Sequence, residues 1–247
     1  MKISQRALSR RHFIVLAGGA SVTLIAGQPL PTQAASSTRS RIGIIGSGRV
    51  GSAIGRTWVS RGHEVMFSSR NLENDKELAT QLGAKARAGT PKEAASFGDV
   101  ILIAVPYGAL PELGQSLKNE LNGKVIIDAC NPFPTRDGEI ANVAREKGAG
   151  LTSAELLPGT RIVRAFNAIG AARMGSAHET PGKVGMPIAG DDKEAISIAS
   201  QLIRDVGYEP VLVGGLAMGR YLMPGTPLAG EHSPEEIRKI AAGLKAE

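Results

Sequence analysis

Gly46-Ser47-Gly48-Arg49-Val50-Gly51 carries glycine at the first, third and sixth places of a six-residue stretch. This spacing suits close approach of main chain to an anion. The first glycine permits a tight turn, the second leaves room beside the backbone, and the third lets a helix lie close to a strand. A helix that begins there turns unpaired N–H groups toward the negative charge. About twenty residues further on stand Ser68, Ser69 and Arg70, two hydroxyls and a guanidinium, a set that grips phosphate through charge-assisted hydrogen bonds.

The elements that must position these groups are legible around them. Residues 41–45 form a short buried strand, with β-branched Ile42, Ile44 and Ile45 ahead of the glycine turn. Val50, Ala53, Ile54, Thr57 and Trp58 then recur at helical spacing, and Gly62 ends that pattern. A glycine turn between a strand and a helix is the context that makes the motif a dinucleotide site. Residues 64–68 form the second strand. A site for NAD usually ends that strand with Asp or Glu, which binds the ribose 2′-hydroxyl. Here Ser69 and Arg70 stand in that place, so the expected ligand is NADP(H), held by its 2′-phosphate. The plainer alternative is a solvated arginine after a strand.

Further along, helix is expected over residues 71–82 and a weak third strand over 84–88. Thr90-Pro91-Lys92-Glu93 has the form of a capping box with proline at the first helical position. Strands follow at 99–105, 124–128 and 162–166, with shorter ones at 186–189 and 210–213. Leu110, Leu113 and Leu117 mark a helix. Asp191 and Glu194 should cap another, and Ser233-Pro234-Glu235-Glu236 should start the last. Strands that alternate with helices predict a Rossmann-type, doubly wound α/β fold with a mostly parallel sheet. Ligands of such sheets lie beyond the carboxyl ends of the strands. Those ends carry residues 46–50, 68–70, 104–106, 131–132 and 167, which can line one crevice.

The chain has 247 residues and a formal charge of +6. Residues 1–35 contain no acid, and carry Lys2, Arg6, Arg10 and Arg11 ahead of an apolar run and a small-residue site. They read as a secretory leader, and the Arg10-Arg11 pair makes it a twin-arginine signal. The run is short for a membrane span, although an uncleaved anchor is the alternative. Removal of the leader takes the charge from +6 to +2, since four of the positives lie in it. The basic balance therefore gives no nucleic-acid footprint. The expected organisation is leader 1–35, linker 36–40, NADP-binding domain 41–167, and a C-terminal extension 168–247 that completes an acceptor site. The destination is the periplasm or beyond, with no membrane partner once the leader is cut. Cys130 is the single cysteine, and no Cys/His pair has metal-ligand spacing.

Together, residues 42–71, "DVILIAVP", "VIIDACNP", "IVRAFNAIG" and "PIAGDD" resemble the NADPH-dependent reductases of coenzyme F420, a 5-deazaflavin, over roughly residues 41–223. The same pattern is similar to the reductase domain of the STEAP metalloreductases. The resemblance implies that Gly46, Ser47, Gly48, Arg49 and Val50 wrap the pyrophosphate, with Gly51 behind them. It implies that Ser69 and Arg70 hold the 2′-phosphate and that Ala104, Val105 and Pro106 lie beside the nicotinamide ribose. Asn131, Asn167 and Ile169 would border the acceptor ring. Asn74 stands where some members carry a basic residue, and a leader is not usual in the family.

Hydride transfer between flat rings asks a protein for orientation and electrostatics rather than for an acid and a base. No acid/base pair stands out. His63, His178 and His232 read as structural or solvated, Asp128 as a structural carboxylate, and Cys130 as a buried thiol. Asn131 and Asn167 are each either a polar contact to a ring or a turn former. Arg220 and Tyr221 either close over an anionic acceptor or begin a helix. Two functions follow. One is an enzyme that passes hydride from NADPH to a small-molecule electron acceptor: a deazaflavin such as F420, a flavin or a ferric chelate. The other is an exported, non-catalytic NADP-binding module. Pairing into a homodimer is left open.

Overall fold

The computed structural model describes residues 39–245. The leader and most of the linker lie outside them.

Eight strands form one sheet: β1 (Arg41–Ile45), β2 (Glu64–Ser68), β3 (Ala86–Ala88), β4 (Val100–Ile103), β5 (Val125–Asp128), β6 (Arg161–Arg164), β7 (Gly185–Gly190) and β8 (Glu209–Gly214). Their order across the sheet is β3-β2-β1-β4-β5-β6-β7-β8. The first six are parallel; β7 runs antiparallel to β6, and β8 is parallel to β7. The helices are α1 (Arg49–Ser60), α2 (Leu72–Leu82), α3 (Pro91–Phe97), α4 (Leu110–Ser116), α5 (Lys118–Leu121), α6 (Pro134–Asp137), α7 (Glu139–Lys147), α8 (Ala149–Leu156), α9 (Lys193–Val206) and α10 (Pro234–Ala242). This is the doubly wound architecture of dinucleotide-binding proteins, and the extension adds its two strands to the same sheet.

Alternation along the strands separates the two faces. Ile42, Ile44, Val100, Leu102, Val125 and Ile127 pack with Ile54 and Trp58 of α1 and with Ala195, Ala199 and Leu202 of α9. Ile45, Ile101, Ile103 and Ile126 pack on the other face with Ala95, Leu110, Ala144 and Ala149. Both faces of β1, β4 and β5 are thus covered, which is why these strands read as unbroken apolar runs. Trp58 is fully buried and donates its indole N–H to the Leu202 carbonyl at 2.8 Å, tying α1 to α9.

Local chemistry sets several boundaries. Thr90 and Ser233 each close a capping box, with Glu93 and Glu236 respectively, as their spacing predicts. The cap of α9 differs from expectation. Asp192, not Asp191, accepts from the Ala195 N–H at 2.7 Å, while Asp191 accepts from the Leu216 N–H. Strand β6 stops at Arg164, two residues earlier than expected, because Phe166 adopts φ 65° and turns the chain. Helices α7 and α8 fill a stretch to which the sequence assigned no element.

The parallel registers align Ser68, Ile45, Ile103, Asp128 and Arg164 in one row across the carboxyl edge. The residues that follow each strand therefore emerge side by side. Chain order reverses between β1 and β4, the position at which this architecture opens a crevice.

Candidate functional site: a dinucleotide crevice

The glycine turn leaves β1 at this reversal. Gly46 has φ 103°, and a Cβ there would lie 2.4 Å from the Ala104 carbonyl oxygen. The N–H groups of Gly46 and Ser47 both donate to the Ser68 carbonyl, at 2.8 and 3.1 Å, fastening the loop to the end of β2. Gly51 packs its Cα against the loop so closely that a Cβ would meet the Gly46 oxygen at 2.2 Å. Gly48 differs: its φ of −66° and ψ of −161° suit any residue, and nothing of the chain lies within 4 Å of a Cβ built on it. It is the N-cap of α1, and neither a side-chain cap nor an acid occupies the first turn. The donors of that turn remain available to an anion.

At the end of β2 the three predicted phosphate ligands separate. Arg70 is exposed, and no described residue pairs with its guanidinium. Ser69 is half-buried, and its Oγ lies 2.8 Å from Asp75 Oδ2. Ser68 points inward: it is fully buried and donates its hydroxyl to the Ile44 carbonyl at 2.7 Å. The expectation for Ser68 is therefore corrected. Its place in the outward/inward alternation of β2 turns the side chain into the sheet, and only its carbonyl serves the loop.

A cavity of about 590 Å³ adjoins the turn, within the range of small-molecule sites. Arg49, Val50, Ala104, Val105, Pro106, Asn131, Asn167 and Ile169 all line it, so β1, β4, β5 and β6 each send residues to one chamber. Arg136 and Gly230 also line it and had no sequence signal of their own; Phe166, expected only as the end of a strand, lines it too. Arg136 enters from α6; it donates to the Asn131 carbonyl at 2.8 Å, pairs with Asp137, and lies over the Phe133 ring. The two asparagines brace each other. Asn131 Nδ2 donates to the Asn167 carbonyl at 2.8 Å, and Asn167 Nδ2 donates to the Cys130 carbonyl at 3.2 Å. Each Oδ1 is buried without a partner among the described residues. Such orphaned acceptors cost about 1–3 kcal/mol apiece, and an amide N–H of a ligand would satisfy them.

Beneath the chamber lies a closed polar network. Arg164 and Asp128 are fully buried and paired at 2.6 Å, and Asp128 also accepts from the Cys130 N–H at 2.8 Å. The Cys130 thiol is buried and its pKa is pushed well up, first by burial and then by Asp128. Burial likewise raises the Tyr107 phenol, which is bonded to the Ala149 carbonyl and Ser153. None of these groups lines the chamber. His63 is also buried, between the Ser40 N–H and Asp205. His232 lies by the Ala229 carbonyl. Arg220 and Tyr221 sit in a 3₁₀ segment (Leu216–Leu222) and line a second depression with Arg145, not the main cavity. Among the described residues no His, Cys, Asp and Glu cluster could hold a metal, and no helix is long and apolar enough to cross a membrane.

A mostly parallel sheet with a glycine turn at its switch point, opening on a chamber, defines the Rossmann-type architecture of dinucleotide-binding proteins. Comparison with known proteins adds similarity to this geometry. Residues 41–132 match the family described as NADP oxidoreductase, coenzyme F420-dependent. The metalloreductase STEAP3 of Rattus norvegicus is 31% identical over 183 residues, covering 73% of this chain and 35% of the rat protein. The chain thus spans about a third of that relative's length. The F420-dependent NADP reductase of Methanothermobacter thermautotrophicus is 27% identical over 205 residues, 76% of this chain and 87% of the archaeal one. A hypothetical protein of Sinorhizobium meliloti has a solved structure that matches with a TM-score of 0.65 and 25% identity, covering 80% of this chain and 96% of its own.

Proposed function

We propose that this chain binds NADPH and passes its hydride to a flat conjugated acceptor, a deazaflavin such as coenzyme F420 or a flavin; a flavin so reduced can then pass its two electrons singly to two equivalents of a ferric chelate. The observation that carries the reading is the lining of the chamber. Its ionisable residues, among those described, are Arg49 and Arg136, both permanently cationic. A carbonyl reductase must protonate an alkoxide and needs an acid within hydrogen-bond reach. An acceptor that spreads the incoming charge over a conjugated system and draws its proton from water does not.

The residues fit the nucleotide. Gly48, Arg49 and Val50 offer N–H donors and open space for the pyrophosphate, Arg70 a cation for the 2′-phosphate, and residues 104–106 a wall for the nicotinamide ribose. The orphaned Oδ1 atoms of Asn131 and Asn167 suit the carboxamide N–H groups of a nicotinamide. When bound, NADPH supplies the hydride, and the protein's part is to hold the two rings close and dry. Orientation of this kind contributes up to about 7–11 kcal/mol of barrier lowering.

The test is steady-state oxidation of NADPH and NADH by purified protein with F420, FMN, ferric citrate and a simple ketone. Turnover with NADPH and F420 or FMN supports the reading, ferric citrate being reduced only when FMN is present to relay single electrons. Turnover with the ketone alone, or no affinity for NADPH, overturns it.

A further inference from the structure

One buried charge takes no part in the function just proposed. Asp75, on the first turn of α2, is only 2% exposed, and no described lysine, arginine or histidine pairs with it. What surrounds its carboxylate is hydroxyl. Ser47 of the glycine turn donates to Oδ1, and Ser69 lies 2.8 Å from Oδ2. The carboxylate thus bridges the two loops that would hold the pyrophosphate and the 2′-phosphate. Its position near the start of α2 gives it partial support from the helix dipole.

Proton accounting shows what this does to the site. A serine hydroxyl has one proton to give. Ser69 has two acceptors in reach, the Asn71 carbonyl at 3.2 Å and Asp75 at 2.8 Å, and the charged, nearer one takes the proton. Ser69 already accepts from the Asn71 N–H at 3.1 Å. A phosphate dianion brings only acceptors. While Asp75 is ionised, Ser69 can therefore offer such a group nothing, and a negative charge lies behind the hydroxyl.

The geometry points to Asp75 as a specificity-determining residue that holds down the site's preference for a 2′-phosphorylated dinucleotide over its 2′-hydroxyl counterpart. This acid stands five residues beyond Arg70, on α2 rather than at the end of β2 where NAD-binding sites carry theirs. It acts through the two serines, so NADPH recognition is left mainly to Arg70. The inference rests on the placement of the 2′-phosphate at Ser69 and Arg70 given above.

The test measures Kd for NADPH and NADH by calorimetry on the full chain and on Asp75→Asn, which keeps the size and one acceptor oxygen. Asp75→Ser, neutral and smaller, serves if the first variant fails to fold; Tm identifies which variants are intact. Neutralisation should strengthen NADPH binding about tenfold, equivalent to about 1.4 kcal/mol, with NADH changed less than about threefold. Adding Ser69→Ala to the neutral variant should abolish the gain, which a merely structural carboxylate would not do. An unchanged or reduced NADPH-to-NADH preference overturns the inference. Arg70→Asp separates the two levels of argument. If Arg70→Asp destroys NADPH preference while Asp75→Asn leaves it untouched, only this inference fails. If Arg70→Asp also changes nothing, the placement of the 2′-phosphate fails with it.

Discussion

Gly48→Ala separates the demands of folding from those of ligand binding. The backbone at Gly48 is extended, and a methyl there meets no atom of the chain. Folding thus gives no steric reason for glycine. Two small effects oppose each other: alanine is a poorer N-cap than glycine, and it lowers unfolded-state entropy by about 0.4–1 kcal/mol. The apo protein should keep its Tm within about 4 °C, since about 1 kcal/mol moves a domain of this size by roughly 2–4 °C. Binding should not survive as well. The methyl occupies the space through which a pyrophosphate reaches the turn, and one or two hydrogen bonds to a charged group are lost at about 1.5–3 kcal/mol each. At a NADPH concentration about a hundred times Kd, wild type gains about 2.7 kcal/mol, or roughly 5–11 °C. A hundredfold weaker variant at the same concentration gains about 0.4 kcal/mol, near 1 °C. Differential scanning fluorimetry with and without nucleotide reads both numbers. Gly51→Ala is the contrast: its Cβ would lie 2.2 Å from the Gly46 oxygen, so α1 must shift and apo Tm should fall, by about 1–3 kcal/mol of stability. A Gly48→Ala protein that keeps the full nucleotide shift would refute the assignment of the turn.

Three other outcomes follow. Asp128→Asn leaves Arg164 buried without its charge partner and should cost about 3–5 kcal/mol in a urea titration, the pair being fully enclosed. The hydrogen bond from Arg161, with that from the Ala195 N–H, holds Asp192 at about 2, below its ordinary 3.8. Its contribution is therefore complete above about pH 4 and is lost as pH falls through about 2. The Tm gap between wild type and Asp192→Asn should stay constant above about pH 4 and close below it. The export expectation predicts that Arg10→Lys with Arg11→Lys retains the protein in the cytoplasm of a host with a twin-arginine pathway. Equal periplasmic recovery of both forms in cell fractionation would remove it.

Much of the scaffold was legible because its determinants are local. The apolar run of β1 ends in glycine and that of β4 in proline, and the capping boxes at Thr90 and Ser233 announce their helices. Other features depend on contacts that no short window contains. In α7 the buried residues are Ala141 and Ala144, whose small side chains make little apolar periodicity. Asp191 and Asp192 are adjacent and chemically equal; only the Leu216 N–H, far along the chain, decides which one caps α9. The direction of β7 is fixed by the return of the chain through residues 165–184, not by its own composition. The site shows the same division. Arg70 is visible as the residue after a strand, whereas Asp75 reaches Ser69 and Ser47 from a helix and is visible only once α2 is folded.

The reversed strand and one wall of the chamber are one feature of the fold. Phe166 adopts φ 65°, a conformation that costs a non-glycine residue on the order of 1–3 kcal/mol. It persists because its surroundings over-determine it. Trp58 and Tyr208 hold the ring edge-on at 6.4 and 6.3 Å, and its N–H donates to the Met186 sulfur at 3.3 Å. This bend takes the chain out of β6 before it can continue as a parallel strand. It lays residues 166–171 along the chamber wall. Met186 belongs to β7 and Tyr208 immediately precedes β8, so the extension supplies the contacts that keep the bend in place. The glycine-turn side of the crevice is thus made by glycine and a fixed register. The opposite wall is made by strain, and the last two strands help to hold it.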